Sequence, residues 1–131
     1  MLALGLPFAE GGVLIRKLDR PGAALIALLD KADRVILIDA MQSSGSIGQI
    51  RHFNRAEWPA YSQGLSSHGF GILDALSLAR ELDSLPPQLD LYGIEIGSVN
   101  PGELVGRAIQ AAALQLARRI AADLTAMLRQ R

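Results

Sequence analysis

Four consecutive apolar residues, Val35, Ile36, Leu37 and Ile38, form the centre of the hydrophobic pattern. A run that is apolar at odd and even positions alike predicts a strand covered on both faces, as in a sheet sandwiched between helices. Asp39 ends the run. Upstream, residues 1–12 are apolar and Gly-rich with no clear period, whereas residues 13–18 alternate, with Val13, Ile15 and Lys17 on one face of a predicted strand. Asp19-Arg-Pro21-Gly22 predicts a turn with Pro21 in the first turn of a helix. That helix, over residues 23–30, carries Leu25, Ile26, Leu28 and Leu29.

Downstream, the Ser/Gly-rich residues 42–48 predict a loop. Residues 49–53 alternate polar and apolar, which suits an antiparallel or edge strand with one wet face. Residues 54–66 hold Trp58-Pro59 and Gly64 without a sustained period and are expected to form a long loop. Ile72, Leu73, Leu76, Leu78, Ala79 and Leu82 predict a helix to about residue 83, stopped by Pro86-Pro87. Residues 89–96 predict an interior strand. Asn100-Pro101-Gly102-Glu103 has the residues of a helix start, an Asn cap followed by Pro at the first helical position. The last helix is expected over residues 103–128, with Ile109, Ala113, Leu116, Ile120, Leu124 and Leu128 along one side. The order strand, helix, strand, edge strand, helix, strand, helix predicts an α/β three-layer sandwich. Its sheet is expected to be mostly parallel with one antiparallel edge strand and helices on both faces.

Composition narrows the picture. A chain of 131 residues and 14.0 kDa is expected to be one domain with a real core. The formal net charge is zero, so no basic surplus points to nucleic acid or to an anionic membrane. There is no cysteine, which removes disulfides, thiolate metal sites and cysteine nucleophiles. No apolar run approaches the roughly 20 residues that span a bilayer. The opening residues lack a basic n-region, so a cytoplasmic location is expected.

Two residues stand out chemically. Asp39 follows a buried strand, where ligands of open α/β sheets bind, although an Asp there can equally cap a turn. His68 lies in a Ser/Gly-rich segment just ahead of a predicted helix. A helix N-terminus disfavours a charged imidazolium and so favours a neutral, metal-competent ring; the alternative is an exposed loop histidine. Both are expected at one edge of the sheet, where a carboxylate and an imidazole suit a divalent ion such as zinc or nickel. Two protein ligands fall short of the usual three or more. His52 is expected to face solvent and Asp74 to be an exposed helix acid. Glu95 stands near the carboxyl end of the last strand without further support. Ser66 and Ser67 lack a nucleophile elbow, and no phosphate loop or dinucleotide fingerprint occurs.

These features together resemble the hydrogenase maturation proteases, endopeptidases that trim the large subunit of nickel–iron hydrogenase. The likeness is carried by Leu18-Asp-Arg-Pro-Gly22 and by Ala32-Asp-Arg-Val-Ile-Leu-Ile-Asp39-Ala-Met with Gly45-Ser-Ile-Gly48. Leu65-Ser-Ser-His68-Gly-Phe-Gly-Ile-Leu-Asp-Ala-Leu76 and Tyr92-Gly-Ile-Glu-Ile96 complete it. The resemblance implies that Asp39 and His68 contact nickel already loaded in the precursor of the hydrogenase large subunit, the implied partner. The metal is carried by the substrate, and no organic cofactor is implied. It also implies removal of a C-terminal peptide, or, for a non-catalytic relative, binding of that subunit without cutting. The family's third ligand is a Glu in a Gly-Asn…Gly-Asp-Asp/Glu-Gly stretch that this sequence lacks, and no motif carries Glu10 into that role. By this likeness the domain, residues 1–131, is N-terminally short, through a wrong start, a truncation or a genuinely shorter relative. A missing first strand would leave a sheet edge to be filled by residues 1–8 or by a second copy of the chain. A two-ligand site predicts poor cleavage of the nickel-loaded precursor.

Overall fold

The computed structural model describes residues 2–7, 14–18, 23–42, 45–62, 70–97 and 106–129. Its centre is the strand β3, Ala32–Met41, in which Val35, Ile36 and Leu37 are all buried, as the unbroken apolar run requires. Around it lie β1 (Leu2–Pro7), β2 (Leu14–Lys17), α1 (Ala23–Asp30), β4 (Ile50–Asn54), a 3₁₀ segment (Trp58–Ser62), α2 (Phe70–Glu81), β5 (Gln88–Glu95) and α3 (Arg107–Arg129). Among the described residues, five strands form one sheet in the order β2-β1-β3-β5-β4.

The α/β class, the helices on both faces and the antiparallel edge strand β4 match the expectation; the parallel share of the sheet is smaller. Among the described residues only β3 and β5 pair in parallel, whereas β1 pairs antiparallel with both β2 and β3, and β4 with β5. The cause is connection length. Parallel neighbours need a crossover of about a dozen residues or more, and only residues 8–13 separate β1 from β2. The chain therefore turns back, and the proper crossover, through α1, joins β2 to β3 with β1 between them. The place beside β3 where a gap was expected is thus filled by residues 2–7.

Alternation along β3 and β5 sorts side chains to two cores. Val35, Leu37, Met41, Leu89 and Leu91 pack with Leu25 and Leu29 of α1, with Ile72, Leu76 and Ala79 of α2, and with Trp58 and Tyr61. Ile36, Tyr92 and Ile94 pack under α3 against Ala112, Leu116 and Ile120. The buried stripe of α3 includes Ala112, and the expected Ala113 is exposed; the side chain of Leu128 lies outside the described residues. Leu78 and Leu82, expected on the core face of α2, are also exposed. Asp83 ends that helix in a left-handed conformation (φ 56°). The N–H of Ser84 donates to the carbonyl of Ala79 at 2.8 Å and that of Asp83 to Arg80 at 3.1 Å, the paired bonds of a Schellman motif. The Asn100 helix start lies outside the described residues. No helix among those described is long and apolar enough to cross a membrane.

Candidate functional site

Asp39 does not end its strand. The β3–β5 ladder continues through Asp39↔Gly93 and Ala40↔Ile94 to Met41↔Glu95. The Asp39 carboxylate therefore projects from within the sheet near its carboxyl edge, on the face that carries α1 and α2. The next strand continues the row, because Gly93 is paired with Arg51 of β4. An acid and a base thus flank a glycine across three strands.

Tyr61 occupies the space above that glycine. A Cβ added to Gly93 would lie 3.0 Å from Tyr61 Cε2 and 2.7 Å from Met41 Sδ, so the ring fits only because position 93 has no side chain. From there the fully buried Tyr61 donates its hydroxyl hydrogen to Asp39 Oδ2 at 3.3 Å. Its ring meets Phe53 edge-on at 5.5 Å, and the Arg51 guanidinium lies 5.0 Å from the Phe53 ring centre. Burial raises the Asp39 pKa above its ordinary value, partly offset by the Tyr61 hydrogen bond. Burial and the neighbouring Asp39 and Glu95 charges push the Tyr61 phenol far above its usual range, against a smaller opposing effect of Arg51. Tyr61 is consequently a permanent donor toward Asp39. The backbone N–H of Ala40 also hydrogen-bonds to the Asp39 carboxylate.

The 3₁₀ segment delivers Tyr61 because its start is capped. Asn54 Oδ1 accepts the N–H groups of Ala56 at 2.9 Å and Glu57 at 3.0 Å, and the Asn54 N–H donates to Glu57 Oε1 at 3.0 Å. This reciprocal arrangement is a capping box. Trp58 is buried beneath Arg80, whose guanidinium lies 5.0 Å from the ring centre. Residues 54–66 were expected to form a long loop without the 3₁₀ segment found at Trp58–Ser62, and Tyr61 was not a candidate. The Asn54-x-x-Glu57 spacing ahead of two aromatic residues was the available signal.

Glu95 is wholly buried, on the same face as Asp39. Its Oε2 accepts the N–H of Gly97 at 3.0 Å, which secures the turn after β5, where Gly97 takes a positive φ of 66°. Asp74 is exposed on α2 as expected. His52 is exposed, as expected, and also has partners: its ring stacks on Tyr92 (4.4 Å, 7° between planes), and its Nε2 lies 2.7 Å from Asp90 Oδ1. Arg34 donates to Asp90 Oδ2 at 3.1 Å, so one carboxylate ties β3, β4 and β5 together on the α3 face. His68 and Glu10 lie outside the described residues. Among the described residues, no three His, Asp or Glu side chains gather closely enough to hold a metal ion.

Comparison with known proteins identifies the family and the fold. The family model HycI, hydrogenase maturation protease, matches residues 21–122. No curated protein matches by sequence. The hydrogenase maturating endopeptidase HybD from E. coli is 25% identical with a TM-score of 0.69 over 81% of this chain and 67% of its own. The [NiFe] hydrogenase maturation protease HybD from Thermococcus kodakarensis is 26% identical with a TM-score of 0.56, over 71% and 66%. The solution structure of an endopeptidase from Escherichia coli is 25% identical with a TM-score of 0.63, over 76% and 63%. The chain thus spans about two thirds of the length of the structures it matches.

Proposed function

Because the chain belongs to the hydrogenase maturation protease family, and so by family to the peptide-bond hydrolases, we propose that it removes the C-terminal peptide of a hydrogenase large-subunit precursor, recognising nickel already bound there. The observation that carries this reading is the Asp39 carboxylate. It stands near the carboxyl edge of the sheet, where ligands of such folds bind, half-buried and held by a donor that does not titrate with it. Desolvation strengthens its attraction for a divalent cation, because an opposite charge relieves the cost of a buried carboxylate. Asp39 and His68 are the two assigned contacts to the nickel of the substrate. Peptide cleavage follows once the ion fixes the precursor segment in place, since positioning alone supplies much of the rate of such reactions.

Calorimetric titration with nickel or cadmium tests the ligand assignment. Asp39→Asn and His68→Ala should each weaken binding at least about tenfold, as loss of one good metal contact does, with circular dichroism unchanged. Metal binding unaltered in both variants would remove them from the site. A gel-shift assay of the nickel-loaded precursor tests the activity; binding of the precursor without a shift in its size would favour the non-catalytic alternative.

A further inference from the structure

On the α3 face, directly across β3 from the Asp39 carboxylate, the carboxyl ends of β3 and β5 line a recess of about 370 Å³. Its walls are largely aliphatic, with Ile38, Ile94, Ile96 and Ile109, and among the described residues its lining holds one cation, Lys17, and one acid, Asp39. Register explains the assembly. Lys17 pairs with Leu2, and Leu2 with Ile38, so Lys17 and Ile38 lie in one row on the same side of the sheet. Ile38 and Asp39 are adjacent in a strand, so their side chains leave opposite faces of one short stretch of backbone. Recess and carboxylate are therefore two sides of the same sheet edge.

We infer that this recess binds the precursor segment adjoining the cleavage point, taking an aliphatic side chain among the isoleucines and an acidic group at Lys17. The inference rests on the reading of the chain as a protease of hydrogenase precursors. Three observations select this occupant. The recess is continuous with the candidate site through Asp39, so a segment engaged there needs only to pass over the sheet edge to reach it. Its volume is at the small end of ligand cavities, which suits side chains of an extended peptide and not a folded surface. Lys17, exposed on β2 and the one cation of its lining among the described residues, complements a carboxylate, while the isoleucines offer no partner to a polar group.

The test is fluorescence anisotropy with a labelled, nickel-free synthetic peptide spanning the cleavage point and the released segment, run beside binding of the nickel-loaded precursor. The wild-type chain should bind the peptide. Ile109→Glu, at a half-buried position, should weaken it roughly 10- to 100-fold, the range for loss of one buried aliphatic contact. Lys17→Glu, at an exposed position that leaves the fold intact, should weaken it roughly threefold, and that difference should shrink in high salt. Absence of wild-type binding, or binding indifferent to both Ile109→Glu and Lys17→Glu, overturns the inference. If the loaded precursor still depends on Asp39 in that case, the nickel reading stands alone. If the peptide binds as described while the loaded precursor is indifferent to Asp39→Asn, the nickel reading falls and the recess stands.

Discussion

Gly93→Ala isolates the packing that places Tyr61 against Asp39. The added methyl would meet Met41 Sδ at 2.7 Å and Tyr61 Cε2 at 3.0 Å. The sulfur is the yielding side of this contact, since methionine adapts its rotamers, but Met41 is itself only 2% exposed and has little room to go. The Tyr61 ring is fully buried and held edge-on by Phe53, so it must shift by a few tenths of an ångström or more. Overpacking of this kind costs about 1–3 kcal/mol. With a urea dependence of roughly 1–3 kcal/mol per molar for small proteins, the unfolding midpoint should fall by roughly 1 M. The same shift lengthens a hydroxyl–carboxylate contact already at 3.3 Å, beyond the usual range for such bonds, so Asp39 loses its orientation. Nickel or cadmium binding should weaken along with stability. Tyr61→Phe is the control: it keeps the ring, removes only the hydroxyl, and should weaken metal binding with a stability loss of about 1 kcal/mol. A Gly93→Ala chain with an unchanged midpoint and unchanged metal affinity would show that the glycine is not needed to admit the ring.

Asp39→Asn should change how stability depends on pH. The folded state holds the Asp39 proton to higher pH than the unfolded chain, whose ordinary value is 3.8. Between that value and the raised one the folded state binds more protons, so wild-type stability falls as pH rises through this window, and the cost persists above it. The Asn variant has no such cost, so its stability relative to wild type should rise across the window; urea unfolding at acid and neutral pH gives the comparison, and a relative loss on raising the pH would refute the direction. Asp83→Gly should stabilise the chain by about 0.5–1 kcal/mol, because left-handed strain of roughly 1–2 kcal/mol outweighs a glycine's entropic cost of roughly 0.5–1. A lowered thermal midpoint would show that the Asp83 side chain contributes more than its backbone conformation costs.

The elements legible in the sequence were those whose pattern served a single surface. The span of α1, residues 23–30, follows from its leucines and the polar residues at its ends, and the buried run of β3 follows from four apolar residues in a row. The strand nevertheless continues past Asp39, because the ladder to β5 is a backbone property and pairs Met41 with Glu95 regardless of the polar side chain between. Residues 2–7 were hard to read because Gly5 and Pro7 interrupt any period, yet the short connection to β2 permits only an antiparallel return. The stripe of α3 was misplaced at one position because alanines stand at both 112 and 113 and the pattern alone does not choose between them. In the candidate site, the place of Asp39 near the carboxyl edge of the sheet was legible from its position after an apolar run. Tyr61 was not, because its role depends on a glycine 32 positions away (93 − 61) in a different element.

That dependence bears directly on the proposed role of Asp39 as a cation ligand. A carboxylate in the middle of a paired strand, with its face covered by helices, would ordinarily be too costly to keep ionised. The glycine directly opposite opens the face locally, and the tyrosine that enters supplies a neutral donor and no competing positive charge. Arg51, across the same row, moderates the local negative potential without forming the close ion pair that would occupy the carboxylate. The outcome is a partly buried carboxylate oriented by a neutral donor, the arrangement that the proposed binding of a metal carried by the precursor calls on. Replacing Gly93 therefore acts on the proposed ligand through its support, whereas replacing Asp39 acts on that residue itself. Metal affinity measured in the two variants, each against its own unfolding free energy, separates the two effects: Asp39→Asn should lower affinity without loss of stability, and Gly93→Ala should lower both.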